Sequence, residues 1–374
     1  MDLNDSERER YSRHLLLTEV GEAGQQQLRD ARVLIVGAGG LGSPAALYLA
    51  AAGVGHLGIV DGDRLDISNL QRQILYDTSE VGAMKAELAR KRLHALNPLI
   101  EVTAHAVELR ANNAGDLLHD YQLVLDGSDR LSTRYLVNDA CVLFGKMLVS
   151  AAVHRFEGQA MSYVPKRSPC YRCLFAEADD GLVPNCAQAG VLGVLPGLLG
   201  VVQATEAIKL ITGIGEPLLG RLLTYDALSM RFSEFRFSRR PDCAVCGDRP
   251  RITALEPRSD EKDADSTKFR EYSVKELQAL LAGPPGDAPQ LVDVRELHEF
   301  RTGALPGARH IPLGELPERL DELRGERPVL FVCLSGARSL RACTVAAPHG
   351  INAGHLKGGL RAWQKIAAPL HFSL

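Results

Sequence analysis

The sequence has no marked excess of either charge, no apolar run long enough to cross a membrane and no dense array of cysteines. Its 43 Lys and Arg residues face 46 Asp and Glu, a net charge of −3, so overall charge gives no reason to bind nucleic acid or an anionic membrane. The longest nonpolar stretch, Ala189 to Val202, contains four glycines and Pro196 and falls well short of the ~20 residues that span a bilayer. The N-terminal MDLNDSERERYSRHLLL is charged and lacks the apolar core of a secretory signal. Eight cysteines in 374 residues are too sparse for a disulfide scaffold. There is no internal repeat and no low-complexity tract. These absences indicate a cytoplasmic protein whose cysteines are metal ligands or reactive thiols.

What is present is an ordinary globular balance, 45% apolar and 24% charged, over a length that suggests two or three domains. Val33 to Val36 is a short continuous apolar run, the pattern of a strand buried on both faces. A glycine turn follows, then an alanine-rich helix from about Ser43 to Ala52, then a second apolar run, Leu57 to Val60, ending at Asp61. This is a β-α-β unit. Ala86, Ala89, Leu93 and Leu96 share a helical face that Asn97-Pro98 ends. Leu123 to Leu125 reads as another buried strand ending at Asp126, and Leu148-Val149 begins a further one. Residues 248–268 are polar and read as a linker. After it, YSVKELQALLAG has the spacing of an amphipathic helix, and QLVDVRE and PVLFVCLSG read as buried strands of a smaller α/β domain.

Gly37-Ala38-Gly39-Gly40-Leu41-Gly42 matches G-x-G-x-x-G between a strand and a helix. There glycines let the backbone approach a phosphate and the helix N-terminus offers unpaired N–H groups. Asp61, at the next strand end, is placed to bond a ribose hydroxyl. Alone, the loop fits NAD or FAD, another nucleotide, or a tight turn without ligand. The following segment, DGDRLDISNLQRQILY, adds Asp61, Asp63, Asn69, Arg72 and Gln73, with Lys85 twelve residues on. Two cations suit a triphosphate better than a dinucleotide, because Arg offers a bidentate fork and Lys a point charge to phosphate oxygens. Asp126-Gly127-Ser128-Asp129 adds a carboxylate suited to Mg²⁺.

GAGGLGS, DGDRLDISNLQRQ, Lys85 and LVLDGSDR together resemble the adenylating domain of the MoeB/ThiF family, related to ubiquitin-activating enzymes. The resemblance runs from about Ser6 to Gly247 and implies a Rossmann-like, doubly wound sheet. It implies ATP contacts by Gly40, Asp61, Ser68, Asn69, Leu70, Gln71, Arg72, Lys85 and Asp129, with Asp129 also holding Mg²⁺; Gly37, Gly39, Gly42, Asp63, Gln73 and Arg130 complete the candidate nucleotide site. Arg13, in YSRHLLL, would reach the phosphates bound by the neighbouring subunit of a homodimer. The family usually has Asn after that Asp; this chain has Arg130. The family's substrate is the C-terminal glycine of a small ubiquitin-like carrier protein, activated as an acyl-adenylate. Arg72, Lys85, Arg13 and Mg²⁺ would neutralise the charge of that transition state.

Cys170-Tyr-Arg-Cys173 and Cys243-Ala-Val-Cys246 are two C-x-x-C pairs. Two such knuckles give the tetrahedral S₄ set that Zn²⁺ favours, with no open position for catalysis; a redox disulfide or unpaired thiols are the alternatives. The family resemblance implies structural zinc at these positions.

Cys186 lies in LVPNCAQAGVLG. By sequence alone it is either a thiol on an exposed loop or a buried structural cysteine. The resemblance implies a reactive loop cysteine that links covalently to the carrier or forms a disulfide with the sulfur donor. Cys333-Leu-Ser-Gly-Ala-Arg338 follows the strand PVLFV as C-x4-R, a backbone nest that stabilises a thiolate or persulfide, with Arg338 closing the ring. A phosphatase-like loop is the competing reading, but phosphate needs a wider loop. LVDVRELHEF, GALPGARHIPL and LKGGLRAW resemble the landmarks of the rhodanese family over roughly Phe269 to Leu374. Cys141 and Cys343 have no motif and are assigned to packing.

The expected architecture is therefore α/β throughout: an adenylating domain over residues 1–247, a linker over 248–268 and a rhodanese domain over 269–374. The resemblance implies a two-domain enzyme that adenylates a sulfur carrier ending in Gly-Gly. It would then convert that terminus to a thiocarboxylate with sulfur from a cysteine desulfurase or thiosulfate. The main alternative is an activating enzyme that forms a carrier thioester for conjugation. A nicotinamide-dependent oxidoreductase and a carrier-binding scaffold without chemistry are more distant ones.

Overall fold

A computed structural model describes residues 2–176, 190–256, 269–284, 288–325 and 327–366. The chain forms two compact units, Met1–Arg258 and Ser259–Leu374. The first is built on a sheet of eight strands: β1 Arg32–Val36, β2 His56–Val60, β3 Glu101–His105, β4 Leu123–Asp126, β5 Met147–His154, β6 Glu157–Tyr163, β7 Arg221–Asp226 and β8 Arg231–Arg236. Their order is β3-β2-β1-β4-β5-β6-β7-β8. The first five are parallel and the last three antiparallel. Parallel pairing demands crossovers, which the helices Gly42–Ala52 and Lys85–Leu96 supply. The order reverses between β1 and β4, and the crevice outside the carboxyl ends of strands at such a point is where ligands bind.

The glycine turn after β1 is set by backbone contact. Gly37 has φ +89°, a region that disfavours side chains, and a Cβ on Gly42 would lie 1.9 Å from the Gly37 carbonyl oxygen. That approach brings the start of the helix directly over the strand end. The alanine-rich helix Gly42–Ala52 buries Ala45, Ala46, Leu49 and Ala50 completely or nearly so. It is covered by the helix Val194–Thr212, where a Cβ on Gly200 would lie 2.3 Å from the Leu41 carbonyl. By length and mean composition alone this second helix could cross a membrane, although Gln203, Thr205, Glu206 and Lys209 interrupt its apolar run. Here it packs Leu195, Leu199, Ala204 and Ala207 inside the unit and uses its buried polar side chains. Gln203 donates to the carbonyls of Asp126 and Val149, and Glu206 accepts from Ser162 Oγ and the Leu218 N–H.

The strands begin and end within a residue or two of the apolar runs. The β6–β8 extension has no such run, and β8 is exposed along nearly its whole length. Residues 248–256, polar enough to read as linker, turn back on the second cysteine pair. The N–H groups of Arg251 and Ile252 donate to the Ala244 carbonyl, and Ile252 and Leu255 pack on the core behind it. Residues 257–268, the remainder of that stretch, lie outside the described residues.

The second unit has a five-stranded parallel sheet: β9 Arg270–Tyr272, β10 Gln290–Asp293, β11 Arg309–His310, β12 Val329–Val332 and β13 Ala353–Leu356. The order is β11-β10-β12-β13-β9. Ser273 caps the helix Val274–Ala282. The helix after the cysteine loop, Ala337–Ala346, gives way before Pro348 to a 3₁₀ turn, Ala347–His349.

The Gly37–Gly42 contact makes a sharp prediction. Gly42→Ala forces its methyl into a backbone oxygen that cannot move aside, so the melting temperature of the first unit should fall by about 5 °C or more. Gly197→Ala, on the helix Val194–Thr212 where a Cβ meets nothing within 4 Å, should leave stability unchanged or raise it. Calorimetry of the two variants checks this; equal midpoints would contradict the contact.

Candidate functional site

Two sites emerge, one in each unit. In the first, the Gly37–Gly42 turn stands at the carboxyl ends of β1 and β4, where the Gly37 N–H donates to Val60 and the Gly127 N–H to Val36. Asp61 follows β2 and braces the turn: one carboxylate oxygen accepts the Ala38 N–H at 2.8 Å, the other the Asp63 N–H at 2.9 Å. Burial pushes the Asp61 carboxyl up, opposed by Lys85 and by these two N–H groups. Lys85 opens its helix, is 5% exposed, and places Nζ 3.0 Å from Asp63 Oδ2. Its ammonium is thus held at the strand ends by an exposed carboxylate that an anionic ligand can displace.

The segment between them forms a second wall. Asp66 caps the 3₁₀ turn Ile67–Asn69, and Arg72 Nη1 donates to the Ser68 carbonyl at 3.1 Å. A Cβ on Gly40 would meet Arg72 Cγ at 3.4 Å and Pro196 at 3.1 Å, so Arg72 lies against the glycine turn. Gln73 is buried beside Gly39, and its Oε1 has no hydrogen-bond partner among the described residues. An unpaired buried acceptor is costly, and a ligand donor in this crevice would satisfy it. Asp129 and Arg130 are exposed beyond β4, with Arg130 Nη1 2.9 Å from Glu108 Oε1. Leu70 and Gln71 belong to the same wall, and a Cβ on Gly193 would lie 2.4 Å from Gln71. Arg13 is exposed on the short helix Ser12–Leu15. Cys186 lies outside the described residues.

Sequence reading missed one contributor, Tyr76, and gave another, Asp126, no role of its own. Tyr76 donates its hydroxyl to the Ala38 carbonyl at 2.8 Å, fixing the turn from beneath, and burial raises its pKa so that it stays a donor. Asp126 is fully buried: it accepts from the Ser128 N–H and hydroxyl, from Ser150 Oγ, and from Arg134 Nε. It shapes the loop and leaves Asp129 as the carboxylate facing solvent.

The four paired cysteines converge. Cys170 Sγ lies 4.0 Å from Cys173 Sγ and 3.6 Å from Cys243 Sγ, Cys173 Sγ lies 3.3 Å from Cys246 Sγ, and all four sulfurs fall within 4.8 Å of one another. A tetrahedral Zn–S₄ centre requires sulfur separations of about 3.8 Å, so the donor set fits zinc. The surroundings fix the knuckles: Asp139 grips Arg172 with two 2.7 Å bonds, and the Arg240 N–H donates to Cys173 Sγ at 3.5 Å.

In the second unit, Cys333 follows β12 and is 1% exposed. Gly336, at φ +100°, aims its N–H at Cys333 Sγ at 3.1 Å; the Ser339 N–H adds a second contact at 3.4 Å. Ser339 Oγ lies 3.5 Å from the sulfur and donates to the Gly336 carbonyl. The cradle sits at the N-terminus of the helix Ala337–Ala346, whose dipole favours an anionic sulfur. From below, the Leu360 N–H donates to the Cys333 carbonyl, and a Cβ on Gly359 would lie 2.3 Å from it, which explains the Gly-Gly of LKGGLRAW. Arg338 faces Glu299, at 2.6 and 2.7 Å. Cys141 and Cys343 are buried, and burial pushes both thiols up, Cys343 to about 12. They are packing residues.

A Rossmann-like sheet with a basic strand-end crevice and a four-cysteine cluster, joined to a parallel sheet with a cysteine nest, defines a two-domain α/β protein of nucleotide and sulfur chemistry. Residues 11–245 match the ThiF family and residues 273–366 the rhodanese-like domain. The chain belongs to the ThiF family and carries a C-terminal rhodanese domain. It is 43% identical over 381 residues to the probable adenylyltransferase/sulfurtransferase MoeZ of Mycobacterium tuberculosis, covering 98% of this chain and 95% of that one. It is 52% identical over 250 residues to the sulfur carrier protein adenylyltransferase of Thermus thermophilus, 65% of this chain and 92% of that one. The crystal structure of E. coli MccB with AMPCPP and MccA is similar at 26% identity and a TM-score of 0.56, over 64% of this chain and 74% of that one.

For the cysteine cluster, metal analysis of the purified chain should find about one zinc per chain. Cys173→Ser should lose most of it and lower the melting temperature of the first unit. Full stability with no bound metal would contradict a structural zinc centre.

Proposed function

We propose that this enzyme adenylates the C-terminal glycine of a small ubiquitin-like sulfur carrier ending in Gly-Gly and then replaces the activated oxygen with sulfur carried by Cys333. The observation that carries the reading is the Cys333 cradle in the same chain as the Lys85 and Arg72 crevice. The relatives named adenylyltransferase/sulfurtransferase match this chain over nearly its whole length, which supports joining the two activities.

In the first step a carboxylate oxygen of the carrier attacks the α-phosphorus of ATP and pyrophosphate leaves. The glycine turn offers backbone N–H groups to the phosphates, and Lys85 and Arg72 offset the charge that gathers on the nonbridging oxygens. Lys85 is already dehydrated and positioned, so little reorganisation is needed. Asp129 is the residue we assign to Mg²⁺, which would offset further charge on the triphosphate. Tyr48 is an exposed aromatic beside a hollow of about 210 Å³ lined by His14, Val201, Thr205 and Ile208. A second copy covering this face would form the homodimer in which Arg13 serves the partner's site.

In the second step the terminal sulfur of a Cys333 persulfide attacks the acyl-adenylate carbonyl, and AMP leaves with the C–O bonding pair. The product is an acyl disulfide joining Cys333 to the carrier. The Cys186 thiolate then attacks Cys333 Sγ and the carrier departs as a thiocarboxylate. A Cys186–Cys333 disulfide remains, and a cellular dithiol reduces it. Such turnover fits a reducing cytoplasm, as do the unpaired cysteines of the described residues.

Cys333→Ala should abolish thiocarboxylate formation and leave ATP–pyrophosphate exchange intact, and Lys85→Ala should lower that exchange about 100-fold. Loss of exchange in Cys333→Ala would overturn this division of labour. Full turnover of a carrier thioester on Cys186 in that variant would favour conjugation without sulfuration.

A further inference from the structure

The Cys333 cradle surrounds its sulfur with neutral donors. The cation of the loop, Arg338, is turned to Glu299 through two bonds of 2.6 and 2.7 Å, a fork-to-fork pair that occupies one edge of the guanidinium. Both side chains are about three-quarters buried. Arg338 holds the Glu299 carboxyl down at about 2, so the pair is ionised across the neutral range. Glu299 is also fixed from its own side. It is the third residue of the helix Leu297–Phe300, and its Oε2 accepts the Glu296 N–H at 3.1 Å. The neighbouring cation, Arg295, is buried and paired with Asp293. Leu334 and Ser335, the next loop side chains, carry no charge.

We propose that Glu299 is a donor-specificity residue: by neutralising Arg338 it disfavours dianionic sulfur donors such as thiosulfate and leaves the loop suited to alkyl persulfides. The proposal rests on the reading of Cys333 as the sulfur-accepting thiol. With a persulfide, the Cys333 thiolate attacks the terminal sulfur of R–S–SH. A bond forms between Sγ and that sulfur, the donor S–S bond breaks, and R–S⁻ leaves with the bonding pair. The terminal proton stays on the transferred sulfur. One negative charge is present before and after, and no oxidant or reductant is consumed. Thiosulfate instead brings a dianion onto a thiolate and expels sulfite, so three negative charges must share the site. Such a donor needs an uncompensated cation to face it, and the charge of Arg338 is offset by Glu299.

Glu299→Gln tests this directly, because the amide oxygen can still accept the Glu296 N–H and cap the helix while the charge is gone. Cys333 of the full chain is loaded from thiosulfate, from glutathione persulfide, and from a cysteine desulfurase supplied with cysteine. Intact mass reads the gain of one sulfur, and initial rates give kcat and KM. The native chain should load from persulfide with a kcat/KM about tenfold or more above thiosulfate. The variant should shift that ratio toward thiosulfate by about fivefold, mainly through a lower thiosulfate KM, an effect a purely structural role would not produce. Loading by the desulfurase alone, or by both persulfides, supports the proposal and separates a protein-borne from a small donor. A native preference for thiosulfate, or an unchanged ratio in a folded variant, overturns it. Failure of every donor to add sulfur overturns the sulfur-accepting reading of Cys333, and this proposal with it.

Discussion

The strand-end chemistry of the first unit depends on one backbone approach: the Gly37 carbonyl against Gly42, closer than any side chain permits. It turns the chain so sharply after β1 that the helix begins over the strand end, with the Ser43 N–H bonded back to the Gly39 carbonyl. Asp61 and Tyr76 then hold Ala38 from two sides, through its N–H and its carbonyl. Lys85 and Arg72 are delivered to the same rim by the first turn of the next helix and by the wall around the 3₁₀ turn Ile67–Asn69. Remove the glycine contact and the cations remain, but the surface they would serve does not.

The second unit solves an analogous problem with sulfur. Cys333 is almost wholly buried, and the fold sets N–H groups from Gly336 and Ser339 and a helix N-terminus around its sulfur. The contrast with Cys141 and Cys343 is instructive. Both are equally buried, have no such cradle, and are held protonated by desolvation. Burial is common to all three; what sets Cys333 apart is its N–H donors.

Much of this was legible in the sequence, for physical reasons. Strands buried on both faces are continuous apolar runs, so β1, β2, β4 and β12 stand out. Cysteine pairs announce a four-sulfur cluster that could hold a metal, because two thiolates from one knuckle need that spacing, and the glycine fingerprint is local to six residues. What was hidden depends on distant partners. Glu299 lies 39 residues from Arg338 and reads as one more acidic residue of a family landmark. Tyr76 and Gln203 act through hydroxyl and amide bonds to backbone carbonyls that no residue pattern encodes. Residues 248–256 looked like linker because their two anchoring side chains, Ile252 and Leu255, are outnumbered by polar neighbours. The β6–β8 extension, exposed along β8, lacks the apolar contrast that marks a strand.

The central claim is that adenylation in one unit and sulfur delivery in the other act on the same carrier terminus. The most direct measurement is the intact mass of a Gly-Gly-ending carrier after incubation with the native chain, ATP and a persulfide donor. The account predicts the gain that replaces one carboxyl oxygen with sulfur, dependent on ATP. A carrier whose mass is unchanged while ATP is converted to AMP and pyrophosphate would contradict it.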